Sequence, residues 1–79
     1  MSQLTIYSRP GCHLCDEMKE LVTRVAPAVP VDVVDISTAP ELEARYGLEI
    51  PVLLLDGRKI AKYRITEADL RRLLVSANG

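Results

Sequence analysis

The hydrophobic period changes abruptly at Pro10–Gly11, and that change constrains the fold more than any other feature of this 79-residue chain. Before it, Leu4–Ser8 is a short β-type run with Leu4, Ile6 and Tyr7, closed by the Pro-Gly breaker. After it, Leu14, Cys15, Met18, Leu21, Val22 and Val25 fall at i, i+1, i+4, i+7, i+8 and i+11, one face of a helix. Pro27 and Pro30 stop that helix. Val31–Ile36 is β-branched and apolar apart from Asp32 and Asp35, which read as solvated, and it predicts a second strand. A strand, a helix and a strand so close in sequence require a parallel pair with a right-handed crossover.

The second half changes style. Thr38, Pro40 and Glu41 resemble a capping box opening a short helix, and Gly47 is placed to end it. Pro51–Leu55 is a continuous apolar run, as in a strand covered on both faces. Asp56–Gly57 is a strong two-residue hairpin signal, so Arg58–Tyr63 should return antiparallel. Thr66 and Asp69 offer another capping-box pattern. Ile65 is placed to staple onto Leu70, and Leu70, Leu73, Leu74 and Ala77 form the buried stripe. The order β-α-β-α-β-β-α predicts an α/β fold: a mixed four-stranded sheet with helices on both faces, in one domain spanning 1–79.

Hydrophobic residues make up 48% of the chain, enough for one core and too many for disorder. A core this small supplies roughly 3–5 kcal/mol. The formal charge of −1 excludes the basic balance of a dedicated nucleic-acid binder. No apolar run approaches the roughly 18 residues of a membrane span. Met1–Tyr7 reads as the start of a strand rather than as a signal peptide, so a cytoplasmic location is expected.

There are two cysteines, Cys12 and Cys15, placed where the first strand hands over to the helix. Helix N-termini leave N–H groups unpaired and carry partial positive charge, which favours thiolate over thiol. Cys12 is therefore the candidate attacking sulfur. Arg9 can add positive charge from the preceding loop, while Asp16 and Glu17 oppose it. Cys15 lies one turn further in, on the apolar stripe, suited to resolving a mixed disulfide. Helical i,i+3 spacing brings the two Cα atoms to roughly 5 Å, within disulfide range. An inert staple is the bland alternative, but so short a loop gains little from crosslinking. A metal site is another, yet Cys12, His13 and Cys15 offer at most three soft ligands, and a closed zinc site would need a second chain. His13 either stabilises the Cys12 thiolate or is a solvent-exposed helix-start residue.

Tyr7-Ser8-Arg9-Pro10-Gly11-Cys12-His13-Leu14-Cys15 resembles the glutaredoxin signature, in which Tyr-Ser-Lys-x-x precedes a Cys-x-x-Cys pair. Downstream, Ile50-Pro51 and Asp56-Gly57-Arg58-Lys59-Ile60 are similar to the cis-proline strand and hairpin of the thioredoxin superfamily, and Arg45-Tyr46-Gly47 resembles thioredoxins proper. The resemblance covers almost the whole chain and implies a thioredoxin-like fold. It also implies a small thiol–disulfide oxidoreductase working through a Cys12/Cys15 couple. Ile50–Pro51 would be a cis peptide beside Cys12, with Ile50 offering its backbone to an extended substrate and Pro51 shielding the sulfurs.

The departures are as informative. His13-Leu14 replaces the usual Pro-Tyr, and Glu49-Ile50 the usual Thr-Val. Ala61–Thr66 lacks the Gly-Gly pair before the glutathione-holding helix start. Arg9, His13, Ile50 and Pro51 are thus candidate substrate-binding residues. No cofactor or metal is expected, and glutathione is expected as a weak co-substrate, with Glu49 and Glu67 adding unfavourable charge near its carboxylates. The expected partners are a disulfide-bearing protein or small thiol substrate and a reductase, with no nucleic acid and no membrane, and the expected state is a monomer. A copper-type or iron–sulfur carrier built on the Cys-x-x-Cys pair is the competing function. Arg58, Lys59, Lys62 and Arg64 read as edge protection or as a dock for an acidic partner. Tyr63 reads as packing over the sheet, with a place flanking the redox groove as the alternative.

Overall fold

A computed structural model describes residues 3–78, of which 77 and 78 by backbone alone. Strand β1 (Leu4–Ser8) leads into helix α1 (His13–Val25), and strand β2 (Val31–Asp35) follows. A short 3-10 turn (Ile36–Thr38), helix α2 (Pro40–Tyr46), the hairpin β3 (Val52–Leu55) and β4 (Arg58–Lys62), and helix α3 (Glu67–Asn78) complete the order. The sheet runs β2-β1-β3-β4. β1 pairs with β2 in parallel and with β3 antiparallel, and β4 is an antiparallel edge. The expected element order and mixed four-stranded sheet are those observed. No helix among the described residues is long and apolar enough to cross a membrane.

Alternation along β1 decides which helix lies where. Leu4 and Ile6 are fully buried and join Met18, Val22 and Ala26, Leu53 and Leu55, and Leu70 and Leu74 in the core. Each such side chain contributes about 1.5–3 kcal/mol when removed from water. Tyr7 points the other way, and its ring meets that of Tyr46 at 5.0 Å, which places α2 on the opposite face from α1 and α3. Ile65 packs against the core at the entry to α3, where Leu70 is fully buried. The side chain of Ala77 lies outside the described residues.

The hairpin forms as its turn residues require. Asp56 and Gly57 both take positive φ, 51° and 85°, the type I′ geometry that matches strand twist. Leu54 then faces Lys59 but Leu53 faces Ala61, so Ile60 is an extra residue in β4. That bulge lets both Ile60 and Ala61 pack on the core. Thr66 caps α3 as expected, its hydroxyl accepting the Asp69 N–H at 3.1 Å. The return arm of a capping box is absent, because the Asp69 carboxylate pairs with Arg72 instead.

Three local readings are corrected. β2 ends at Asp35, and Ile36 turns inward as a fully buried residue of the 3-10 turn. Thr38 does not cap α2: its hydroxyl donates to the Asp35 carbonyl, and α2 starts from Ala39 with Pro40 in its first turn and no side-chain cap. Asp35 is not merely solvated. Its carboxylate accepts the Ser37 hydroxyl at 2.6 Å and the Ser37 N–H at 2.9 Å, capping the 3-10 turn. Those two bonds, the hydroxyl foremost, hold the Asp35 carboxyl below its ordinary value of 3.8. A depressed carboxyl favours the fold above the ordinary value and loses that contribution as pH falls through the lowered one. The Ser37 amide resonance is therefore expected to stay put down to about pH 4 and to shift only in stronger acid. Asp35→Asn should abolish that titration, and an unchanged Ser37 response in the variant would refute the cap.

Candidate active site

The redox loop is built by one turn. The Cys12 N–H donates to the Arg9 carbonyl at 3.2 Å, with Pro10 and Gly11 between them. Gly11 takes φ of +80°, which the third place of a type II turn requires. A Cβ there would meet nothing within 4 Å, so conformation rather than space selects glycine.

The turn delivers Cys12 to the N-cap of α1, where its Sγ accepts the Cys15 N–H at 3.1 Å. The Cα atoms of Cys12 and Cys15 are 5.2 Å apart and their sulfurs are joined as a disulfide. Cys12 is half-buried, whereas Cys15, on the inner face of α1, is only 4% exposed. The N–H aimed at Cys12 and the helix's positive end are the groups that favour a thiolate once the bond is reduced. His13, Asp16 and Glu17 are all exposed on the first turn of α1.

The other expected residues divide. Ile50–Pro51 is a cis peptide. Because Tyr7 pairs with Val52, it lies at the same end of the sheet as the turn that carries Cys12. Pro51 is fully buried, and the Ile50 N–H and C=O have no backbone partner among the described residues. Arg9, in contrast, turns to the far face. Its guanidinium pairs with the Glu43 carboxylate of α2 and lies 3.5 Å from the Gly47 carbonyl. Glu49, expected to repel carboxylates, is bound by Lys59 at 2.9 Å, which holds its carboxyl below the usual range. Glu67 is likewise paired, with Arg71 at 3.0 Å.

Of the two places the sequence allowed Tyr63, the structure takes the groove, and it adds a backbone role that the sequence did not announce. Tyr63 holds a left-handed backbone, φ +68°, which a non-glycine residue adopts at roughly 1–2 kcal/mol. Its N–H donates to the Pro51 carbonyl at 2.8 Å and its hydroxyl to the Leu48 carbonyl at 3.0 Å, tying the end of β4 to the proline loop. The residue is 44% exposed rather than packed over the sheet, and with Leu14, Met18, Leu21, Arg64 and Ile65 it lines a groove of about 170 Å³. The absence of glycines in Ala61–Thr66 was the one signal that this corner is built differently.

A family model described as Glutaredoxin-like domain (DUF836) matches residues 3–75. The chain belongs to this glutaredoxin-like family. An uncharacterized protein of Mycobacterium tuberculosis is 30% identical over 76 residues, covering 87% of this chain and 78% of the relative. An X-ray structure of a structural-genomics target from X. campestris superimposes with a TM-score of 0.81 at 35% identity, covering 92% of this chain and 96% of that one. A mutant thioredoxin from Halobacterium salinarum has the same fold, with a TM-score of 0.65 at 23% identity over 95% of this chain and 73% of its own. The thioredoxin-like fold expected from the motifs is thus the fold of this glutaredoxin-like chain. Family, fold and a Cys12–Cys15 pair at bonding distance together support a role in thiol redox chemistry.

Proposed function

We propose that this glutaredoxin-like protein is a dithiol–disulfide oxidoreductase whose reacting couple is Cys12 and Cys15. The observation that carries the reading is the asymmetry of the pair, a half-buried cysteine at a helix N-cap bonded to one that is 4% exposed. The Cys12 thiolate attacks one sulfur of a substrate disulfide, forming a mixed disulfide and expelling the other sulfur as a thiolate. Deprotonated Cys15 then attacks the Cys12 sulfur, releases the second substrate thiol and closes the Cys12–Cys15 bond. Two electrons have passed to the substrate, and a dithiol or two monothiol equivalents return the protein to its reduced form. The unpartnered Ile50 backbone suits pairing with an extended substrate, while buried Pro51 shapes that edge without touching solvent.

The structure changes the reasons for expecting weak use of glutathione. Repulsion by Glu49 and Glu67 drops out, because both are ion-paired. What weakens binding is the commitment of Arg9 to Glu43, the use of the Thr66 hydroxyl as a cap, and the Tyr63 side chain on a glycine-like backbone. Losing one charge-assisted hydrogen bond lowers affinity by roughly tenfold or more. Turnover of a small mixed disulfide is expected to be measurable with glutathione but at least about tenfold faster with a protein dithiol at matched concentration. Saturation at equal rates by both reductants would refute this.

A further inference from the structure

On the α2 side of the sheet an open groove of about 450 Å³ runs from Glu49, next to the Ile50–Pro51 peptide, to the hairpin at Gly57. Tyr46 and Leu54 supply its apolar surface, and Arg45, Arg58 and Lys59 its charge. The sequence grouped Arg58 and Lys59 with Lys62 and Arg64. The structure separates them, because Lys62 stands over the Tyr63 ring and Arg64 lines the other groove, while Arg45 arrives from α2. Glu49 neutralises Lys59. Arg45 lies 5.4 Å from the centre of the Tyr46 ring, and among the described residues neither it nor Arg58 has an acidic partner within ion-pair distance. A chain of net charge −1 therefore carries two uncompensated arginines along a mixed polar and apolar groove that starts at Glu49, beside the proline loop, and runs away from the redox end to the hairpin.

We propose that this groove docks an acidic, partly apolar segment of a partner polypeptide that exchanges electrons with Cys12 and Cys15. The partner chemistry deepens the redox reading and rests on it only for the exchange step. Charge complementarity selects an acidic occupant. Its spread selects a polypeptide over a compact anion, because Arg45 and Arg58 come from separate elements, with Tyr46, Leu54 and the Glu49–Lys59 pair between them. An extended segment with alternating acidic and apolar residues meets both surfaces.

The test uses a cysteine-free, fluorophore-labelled peptide of alternating Glu and Val and its Gln and Val counterpart, titrated against the full chain by anisotropy. Wild-type protein is expected to bind the acidic peptide roughly three- to tenfold more tightly at low salt. That preference should fall to within about twofold in the Arg45→Gln, Arg58→Gln variant and at about 0.5 M salt. Equal binding of the two peptides, or a preference that survives the double substitution, would overturn the proposal. So would displacement by inorganic phosphate beyond a chloride control of matched ionic strength, which would mark a compact anion site. Disulfide-bearing versions of both peptides then separate the two readings. An acidic preference in binding without oxidation of the reduced protein by either peptide would sink the redox reading and leave the dock standing. Oxidation by both at one rate, with no binding preference, would do the reverse.

Discussion

Cys12→Ser is expected to abolish disulfide reduction, with a loss of about a thousandfold or more, whereas Cys15→Ser should keep the first chemical step and stall at the second. The difference follows from position. Cys12 occupies the N-cap, where its sulfur faces the Cys15 N–H at 3.1 Å, and the residue is only half-buried. Cys15 projects from the same helix into the interior with 4% of its surface exposed, so a substrate disulfide cannot approach it directly. It can still reach the Cys12 sulfur, since the Cα atoms are 5.2 Å apart. Serine at Cys12 removes the nucleophile of the less buried residue of the pair. Serine at Cys15 leaves the mixed disulfide with no internal thiol to resolve it, and intact-mass spectrometry should find the substrate attached to Cys12. In the reduced wild type, iodoacetamide should label Cys12 well before Cys15. Equal labelling rates, or an adduct trapped by the Cys12 variant, would mean that the roles are reversed or shared.

How much of this was legible in the sequence depends on the range of the forces involved. Periodicity and breakers act locally, and they located β1, α1 and the Asp56–Gly57 hairpin, because a period-2 run, a helical stripe and a type I′ turn each declare themselves within a dozen residues. The Cys12–Cys15 pair was legible for the same reason: strand, turn and helix start are consecutive. Arg9 was not. Its sequence neighbours suggested service at Cys12, but a long cationic side chain finds the nearest carboxylate in space, and that is Glu43, 34 positions away. Glu49 and Lys59 show the same effect across ten positions, and there it reversed an electrostatic argument about glutathione. Tyr63 was read as groove or packing, but its backbone was not legible, for a different reason. Left-handed backbone is cheap only for glycine, so a tyrosine in that conformation is held by tertiary bonds, to the carbonyls of Pro51 and Leu48.

Gly47 is the residue at which these long-range choices converge, and Gly47→Ala is expected to destabilise the fold by about 1–3 kcal/mol. Its conformation does not demand glycine, because φ is −54° and ψ is −32°, ordinary for any residue. Space does. An added Cβ would sit 2.5 Å from the Glu43 carbonyl and 3.1 Å from both Arg9 Nη2 and Glu43 Oε1. The carbonyl cannot yield easily, since it accepts the Gly47 N–H at 2.9 Å and ends α2. The side chains can yield only by opening the Arg9–Glu43 pair, whose other carboxylate oxygen, Glu43 Oε2, is already buried with no hydrogen-bond partner among the described residues. The turn from Arg9 to Cys12 is anchored at that pair, so the substitution should also slow thiol exchange. Against a core worth roughly 3–5 kcal/mol, the loss is a large fraction of the total. Melting should fall by about 4–8 °C per kcal/mol for a chain of this size. Gly11→Ala provides the contrast: it faces no close atom, but its φ of +80° should cost about 1 kcal/mol through backbone strain alone. In an Arg9→Ala background one of the three clashes at position 47 is gone and Glu43 is free to move. Gly47→Ala should therefore cost measurably less there than in the wild type. Additive losses in that double-mutant cycle, or a Gly47→Ala protein as stable and as reactive as the parent, would show that α2 does not hold the redox turn in place.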